Sequence, residues 1–243
     1  MRGAAAIILV SAAALVACNS SDAKEGQDSG RVVRKNFEVA SFDKVALGGS
    51  QNVVVKVGGP VSVRAEGDEE QVNRLEIRVE DGELKVGYQK TSWSVGFRRS
   101  GKPVTVYVTV PSLAAASIGG SGDMQVDRIE ASDFAAAIGG SGDLSLGTMK
   151  VGKGSFSIAG SGKIVGAGSA DSIDASIAGS GNIDLAALQT RSATVSVVGS
   201  GDVSAKATET ANISIAGSGN ATISGPAKCQ VHKMGSGDAR CGA

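Results

Sequence analysis

Carboxylates recur at one position of the sequence, directly after the tripeptide Gly-Ser-Gly. The tripeptide occurs seven times, and four copies are followed by an aspartate: Asp123, Asp143, Asp202 and Asp238. Arrays of aspartates can ligate calcium, and a pair of carboxylates can act as general acid and base on a glycosidic bond. The other three copies are followed by Lys163, Asn182 and Asn220, so the array is interrupted.

Calcium binding is disfavoured by the spacing of the aspartates. The glycine–aspartate repeat of calcium-binding β-rolls has nine residues, whereas successive Gly-Ser-Gly copies here lie 18 to 20 residues apart. An Asp or Asn after a glycine turn commonly caps backbone N–H groups instead. We therefore predict a structural role for these side chains, with no metal site and no cofactor.

Other catalytic arrangements are poorly supported by the residue types. A serine nucleophile needs a strand–turn–helix context and a base, and the single histidine is His232. Glycan cleavage needs a cleft with two carboxylates, and aromatic platforms for sugars are scarce, because only Phe134 and Phe156 follow residue 112. The sequence predicts no catalytic residues, and polysaccharide processing is kept as an alternative.

The repeat predicts the elements that position these residues. Each Gly-Ser-Gly lies between short runs such as FSIAG and DLSL, whose period of two indicates strands joined at a sharp glycine corner. A period of 18 to 20 residues fits one coil of a β-solenoid. We therefore expect an all-β protein, a parallel β-helix with coils of about 18–20 residues.

The repeat coils are predicted over residues 113–243, preceded by irregular strands over residues 36–112. A short polar segment from Asp68 to Arg74 is expected to form one helical turn between strands. Residues 36–243 are therefore interpreted as a single domain. Aromatic residues are only 3% of the chain, which suits a narrow core of Val, Ile, Leu and Ala.

Composition excludes several functional classes. The chain has 24 Lys+Arg against 24 Asp+Glu, so it lacks the basic footprint of a nucleic-acid-binding protein. Hydrophobic residues make up 42% of the 243 residues, which is enough to form a core and argues against wholesale disorder.

The N-terminus carries the features of a secretion signal. Arg2 precedes an apolar run from Ala4 to Ala17, which is too short for a stable membrane span. The sequence Leu15-Val16-Ala17-Cys18 resembles the lipobox of bacterial lipoproteins, which implies that residues 1–18 contain the signal and that Cys18 carries the lipid. An ordinary signal peptide cleaved near Ala17 is the alternative. Asn19 favours outer-membrane sorting, and polar residues 19–35 are interpreted as a flexible tether.

Two further sets of residues are candidate sites. Cys229 and Cys241 lie twelve residues apart near the C-terminus, and outside the cytoplasm they are expected to form a disulfide; two reduced thiols are the alternative. Within residues 90–102, a contact loop for a partner, glycan or lipid head group is suggested by Trp93, Phe97, Arg98 and Arg99. An ordinary hairpin tip is the alternative for this loop.

The ordered motifs of residues 36–243 resemble the GIN-domain family, known as head domains of autotransporter adhesins. The motifs are Phe42-Asp43-Lys44-Val45, Gly49-Ser50-Gln51-Asn52-Val53, Gly67-Asp68, Asp81-Gly82-Glu83-Leu84-Lys85-Val86, Val108-Thr109-Val110-Pro111-Ser112-Leu113 and the Gly-Ser-Gly-Asp/Asn series. The resemblance implies a single-chain right-handed β-helix on a secreted or lipid-anchored protein, and it supplies no catalytic residues.

These observations predict a non-catalytic, lipid-anchored protein of the cell envelope, most consistent with the outer membrane. It would serve as a surface contact or adhesion protein, or as a scaffold that organises the envelope. Its expected partners are the membrane, through the N-terminal lipid, and envelope proteins or glycans. A periplasm-facing assembly or stress factor is an alternative, and the oligomeric state is left open.

Overall fold

The computed structural model describes residues 31–89 and 104–242, which contain sixteen strands and one short helix. The N-terminal part contains β1 (Val32–Phe37), β2 (Lys44–Gly48), β3 (Asn52–Val57), β4 (Ser62–Asp68), α1 (Glu69–Arg74), β5 (Leu75–Glu80), β6 (Glu83–Tyr88) and β7 (Thr105–Val110). The repeat part contains β8 (Ala115–Ile118), β9 (Met124–Gly140), β10 (Asp143–Gly160), β11 (Lys163–Gly179), β12 (Asn182–Gly199), β13 (Asp202–Gly217), β14 (Asn220–Ser224), β15 (Lys228–Met234) and β16 (Ala239–Cys241).

Strands β9 to β13 each run around most of one coil and pair in parallel with the coil above and below. The Gly-Ser-Gly corners separate consecutive strands, so seven corners bound a solenoid of about six turns. The predicted parallel β-helix is thereby confirmed. Parallel pairing here needs no crossover helix, because each coil returns the chain to the start of the next row.

Each coil has three flat segments. In β10 the alternation of buried and exposed residues is interrupted at Gly147–Thr148 and again at Gly152–Lys153. In β10 we name these segments face 1 (residues 143–146), face 2 (148–151) and face 3 (154–160). A residue of another coil belongs to the same face as the β10 residue with which it is in register. In the N-terminal part, face 1 continues through β3, β7, β4 and β1, and face 3 continues through β8, β2, β6 and β5.

The core consists of inward side chains stacked in columns along the solenoid. One column on face 3 contains aliphatic residues in every row, all buried: Leu47, Ile118, Ile138, Ile158, Ile177, Val197 and Ile215. Burial of each such side chain contributes roughly 1.5–3 kcal/mol. The rings of Phe134 and Phe156 are also buried, in accordance with a narrow interior that admits few aromatics.

The irregular N-terminal part closes one end of the solenoid. Strand β4 pairs antiparallel with β7, β1 pairs antiparallel with β4, and β5 pairs antiparallel with β6. The predicted helical turn is confirmed as α1, whose N-cap Asp68 accepts the N–H groups of Glu70 and Gln71. Val72 of α1 is fully buried. In the described parts of the chain, no helix combines the length and apolar character that crossing a membrane requires.

The boundary of the expected tether needs correction. Polar composition predicts a tether over residues 19–35, but β1 already begins at Val32. Val33 and Phe37 face the same side as the buried residues of β4, and this packing outweighs the polar character of the neighbouring side chains.

Candidate contact surface

Four of the side chains that follow the Gly-Ser-Gly corners, Asp123, Asp143, Asp202 and Asn220, accept a backbone N–H of the next coil. Asp123 Oδ1 accepts the N–H of Asp143 at 3.0 Å, and Asp143 Oδ1 accepts the N–H of Lys163 at 3.1 Å. Further along, Asp202 Oδ1 accepts from both the backbone N–H and the side-chain amide of Asn220, at 3.1 and 2.8 Å. These bonds fit the predicted structural role, although the bonded N–H belongs to the next coil and not to the same turn.

Lys163 interrupts this ladder because an ammonium group cannot accept a hydrogen bond. The N–H of Asn182 instead donates to the carbonyl oxygen of Gly162 at 3.0 Å. Backbone groups thus stay paired where the side-chain acceptor is missing. Within residues 31–89 and 104–242, no three His, Cys, Asp or Glu side chains are grouped closely enough to hold a metal ion.

An additional corner precedes the seven recognised in the sequence. Residues 49–52 lie directly below residues 120–123, so that Gly49 O accepts the N–H of Ser121 at 2.9 Å. Gln51 takes the place of the second glycine and is fully buried, and its amide nitrogen and oxygen have no hydrogen-bond partner among the described residues. Sequence reasoning missed this corner because Gln51 breaks the tripeptide and β3 to β7 separate it from the next copy.

In the rows from β8 to β13, the outward positions of face 3 form a flat surface with little charge. Eighteen outward positions in six consecutive rows are occupied by Ala115, Ser117, Gly119, Ala135, Ala137, Gly139, Ser155, Ser157, Ala159, Asp174, Ser176, Ala178, Thr194, Ser196, Val198, Asn212, Ser214 and Ala216. Asp174 is the single charged residue among them, and Lys153 Nζ lies 3.0 Å from its carboxylate.

Faces 1 and 2 differ sharply from face 3 in charge. Each of the strands β9 to β13 carries charged residues outside face 3, among them Glu130, Asp143, Lys150, Lys163, Asp171, Asp184, Arg191, Asp202 and Lys206. Charged groups are costly to cover because they must give up water. Face 3 is therefore the side of the solenoid whose contact with a partner costs least desolvation.

The dimensions of this surface limit the partner. Six rows at about 4.8 Å and five residues at about 3.3 Å give roughly 29 by 17 Å, or about 500 Å². A stable protein–protein interface usually covers about 800 Å² on each partner. Face 3 alone therefore suits a weak contact, or one strengthened by repetition.

A groove lies at the N-terminal end of face 3, with a volume of about 520 Å³. Its floor consists of outward glycines and other small residues from adjacent rows: Ala46, Gly48, Gly87, Ser117, Gly119, Ala137 and Gly139. Tyr88, Glu76, Arg78 and Lys85 form the rim. The groove exists because glycines at outward positions leave space between longer side chains on the flanking strands.

The charges at the rim neutralise one another. Lys85 Nζ donates to Glu80 Oε2 at 2.6 Å, and Arg78 Nε donates to Glu80 Oε1 at 2.5 Å. These two hydrogen bonds lower the pKa of the Glu80 carboxyl. The same bond with Glu80 raises the pKa of Lys85, and Arg78 also pairs with Glu76. These ion pairs stay formed at neutral pH and leave the groove without a large net charge.

A second, polar depression of about 390 Å³ lies on face 1 near the C-terminus. Its lining includes Asp202, Asn220, Asp238 and Arg240. Asp202 is engaged with Asn220 as described above, and Arg240 Nε lies 3.1 Å from the carboxylate of Asp238. Both carboxylates thus already have protein partners.

Strands β15 and β16 bring the two C-terminal cysteines together as a disulfide, with their Cα atoms 6.4 Å apart. Cys229 is in register with the buried Ala211 on face 3, and Cys241 is in register with the buried Ile223 on face 1. The bridge therefore crosses the open end of the solenoid between two faces. His232 is exposed on β15, in register with Ser214.

The remaining sequence-based sites lie outside the described residues. This applies to the lipid attachment site Cys18 and to the contact loop with Trp93, Phe97, Arg98 and Arg99. Both stay predictions.

Comparisons with known proteins place the fold among solved structures. A "putative adhesin" from Bacteroides fragilis NCTC 9343 superposes with a TM-score of 0.81 at 22% identity, covering 89% of this chain and 99% of that one. A "putative lipid binding protein" from Parabacteroides distasonis ATCC 8503 gives a TM-score of 0.72 at 22% identity, covering 88% and 98%. A "putative adhesin" from Parabacteroides merdae ATCC 43184 gives 0.69 at 19% identity, covering 88% and 97%.

The likenesses to solved structures establish the fold, whereas the family is established by sequence. No curated protein matches the sequence significantly. The sequence profile of one family, however, matches residues 41–227, which run from just before β2 to just before β15. The chain belongs to the family described as "Putative auto-transporter adhesin, head GIN domain".

Proposed function

We propose that the protein is a non-catalytic contact protein of the bacterial cell envelope, held by a lipid on Cys18, and that face 3 is its contact surface. Membership of an adhesin family supports an adhesin-like role. The lipobox-like residues 15–18 support the anchor. The protein acts passively: it presents a stiff, flat surface and performs no reaction on its partner.

The nearly uncharged outer surface of face 3 in the rows from β8 to β13 is the observation that carries this proposal. Charged residues are common on the other two faces of the same coils, yet eighteen neighbouring positions on face 3 include one charge. Small side chains keep this surface flat over six rows. Because its area is modest, we infer weak contacts that are summed over many molecules on one envelope, since avidity can exceed single-site affinity.

The anchor and tether determine what face 3 can reach. Thirteen residues, 19–31, connect Cys18 to the first strand and span at most about 3.6 Å each, on the order of 45 Å in total. An anchored solenoid can therefore contact a glycan layer or a membrane protein near the bilayer.

Polysaccharide processing is the alternative in a different class. It requires two carboxylates free to exchange protons with a sugar. The aspartates of face 1 instead accept backbone N–H groups of the next coil or pair with Arg240. This structural engagement favours the contact role.

Charge insertion on face 3 tests the contact surface. In one variant, Ser157→Lys and Ser196→Lys place two ammonium groups on face 3; in the control, Ser145→Lys and Ser204→Lys place them on face 1. Labelled protein is added separately to intact cells and to purified peptidoglycan sacculi. We expect the face 3 variant to lose most of its binding and the control to retain it. Equal binding by both variants, or no binding by the unaltered protein to either probe, would contradict the proposal.

Metabolic labelling with a fatty acid and protease treatment of cells test the anchor and the orientation. We expect label on the protein and none on the Cys18→Ser variant. Cleavage by protease on intact cells supports a surface contact role. Cleavage only after permeabilising the outer membrane indicates a periplasm-facing envelope factor, the alternative role for the same surface.

A further inference from the structure

The two ends of the solenoid are closed differently. At the N-terminal end, α1 covers the interior with the buried Val72. At the C-terminal end, β15 pairs with β13 and β16 pairs with β14, and neither has a strand on its other edge within the described residues. Unpaired strand edges are sites at which another chain can add.

A lysine stands at the end of the main aliphatic column. Lys233 is in register with Ile215, the last of the seven buried aliphatic residues of that column. Its neighbours at inward positions of β15 are Cys229 and Val231, and Val231 is 44% exposed because no further coil covers it. The chain therefore places a lysine, whose side chain is exposed, at a register position that is apolar in every preceding row.

The outermost strand at the other end shows the same arrangement. Lys35 of β1 is in register with Ala65, whose side chain is completely buried, so Lys35 takes the inward register position between Val33 and Phe37 although its side chain stays exposed. Its Nζ lies 5.3 Å from the centre of the Phe37 ring. An inward-facing charge on an edge strand is a known means of preventing edge-to-edge association.

We propose that Lys233 keeps the C-terminal end from pairing with the same end of a second copy of this chain. A second copy is the occupant that fits, because it offers an identical open edge and the same exposed Val231. Antiparallel pairing of two β15 strands centred on Val231 would place each Lys233 beside the Cys229 of the other copy.

The energetic comparison favours the separate chains. Covering Val231 gains only part of the free energy of completely burying such a side chain. Pairing would also transfer two ammonium groups into an apolar interior, and burying a charge without a partner costs more than burying one aliphatic side chain gains. The loss exceeds the gain, so Lys233 determines that the end stays open. This inference is independent of the contact surface on face 3.

Substitution of Lys233 by isoleucine tests the proposal. Lys233→Ile continues the aliphatic column, whereas the control Lys228→Ile alters an outward residue of the same strand. Light scattering of the purified protein over a concentration series gives the molar mass. We expect the unaltered protein and the control to remain monomeric and Lys233→Ile to double in mass. Lys233→Glu should remain monomeric, since it restores an inward charge.

Three results would overturn the proposal. The first is a monomeric Lys233→Ile variant at every concentration, and the second is an unaltered protein that already doubles in mass. The third is a continuous series of larger masses, because two-fold pairing of C-terminal ends stops at two chains. Amide hydrogen exchange supplies an independent readout: β15 amides must exchange more slowly in the Lys233→Ile dimer than in the monomer.

Discussion

Side chains are excluded at the corners by the backbone of the neighbouring coil. A Cβ added at Gly160 would overlap the carbonyl oxygen of Gly140 below it, and the φ of Gly160 is +141°, a conformation that favours glycine. Gly139, one residue before the preceding corner glycine, is different: its nearest neighbour would be Ile118 O at 3.9 Å. The residue in register with Gly139 in the next coil is Ala159.

Alanine at these two positions should have opposite effects. We expect Gly160→Ala to lower the free energy of unfolding by about 2–5 kcal/mol, through backbone strain and overpacking. Gly139→Ala should be neutral or stabilise by up to about 1 kcal/mol, because the added methyl has room and the unfolded chain loses freedom. Denaturant unfolding of both variants measures the difference, and equal losses would show that corner geometry is not the cause.

Gln51 stands at a corner position that is glycine in the later coils, and its polar side chain is buried in the interior. It is fully buried, and in the part of the chain that the structure describes neither the nitrogen nor the oxygen of its amide group has a hydrogen-bond partner. A buried polar group without a hydrogen bond costs about 1–3 kcal/mol. The Gln51 side chain therefore lowers the free energy of unfolding unless a group outside the described residues, such as a bound water, forms hydrogen bonds with its amide.

Replacing Gln51 by methionine should raise the free energy of unfolding by roughly 1 kcal/mol, because the shape is kept and the unsatisfied atoms are removed. Gln51→Glu has the same size but introduces a charge, so it should destabilise strongly. Thermal unfolding of the three proteins gives the ranking. A methionine variant less stable than the unaltered protein would indicate a bound water that satisfies the amide.

At the level of strands, the aspartate ladder adds a side-chain hydrogen bond to the pairing of successive rows. Asp123 and Asp143 occupy adjacent rows, so their carboxylates also repel each other. The acceptor oxygen and the negative charge thus have opposite effects on stability. The two effects can be separated by substitution.

Asp143→Asn retains an oxygen that can accept the N–H of Lys163 and removes the repulsion with Asp123. We expect it to be as stable as the unaltered protein or slightly more stable. Asp143→Ala removes the acceptor and should cost about 1 kcal/mol. Unfolding free energies in denaturant provide the comparison. If asparagine is as destabilising as alanine, charge and not hydrogen bonding is what the ladder supplies.

The repeat part was predictable from sequence, whereas the N-terminal rows were not. From residue 113 onward, each coil repeats the same alternation of buried and exposed residues and the same glycine corner. The spacing of these features in the sequence therefore already gives the register in which the coils pair. The first corner contains Gln51, and its row pairs with residues beyond β7 in the sequence. Such pairing depends on packing between distant segments, which leaves no local pattern. The charge distribution of face 3 became visible only once register placed its residues side by side.

For the whole molecule, stability is a sum over neighbouring coils, because each row contacts little beyond the rows above and below it. The last coil then has a neighbour on one side only. Cys229 and Cys241 join its two strands across the open end, while neither strand has a second pairing partner among the described residues. The disulfide should therefore act locally, on the coil that is otherwise the least stable.

Substituting both cysteines by serine should confine its effect to that coil. A bridge closing a loop of this length contributes about 3 kcal/mol in the chain-entropy description. We expect amides of β15 and β16 to exchange much faster in the double variant, while those of β10 and β11 keep their protection, because at least three strand interfaces separate β10 and β11 from β15 and β16. Reduction of the unaltered protein serves as the control and should reproduce this pattern. A uniform loss of protection in every row would instead mean that the solenoid unfolds as a single cooperative unit, with the bridge stabilising all of it.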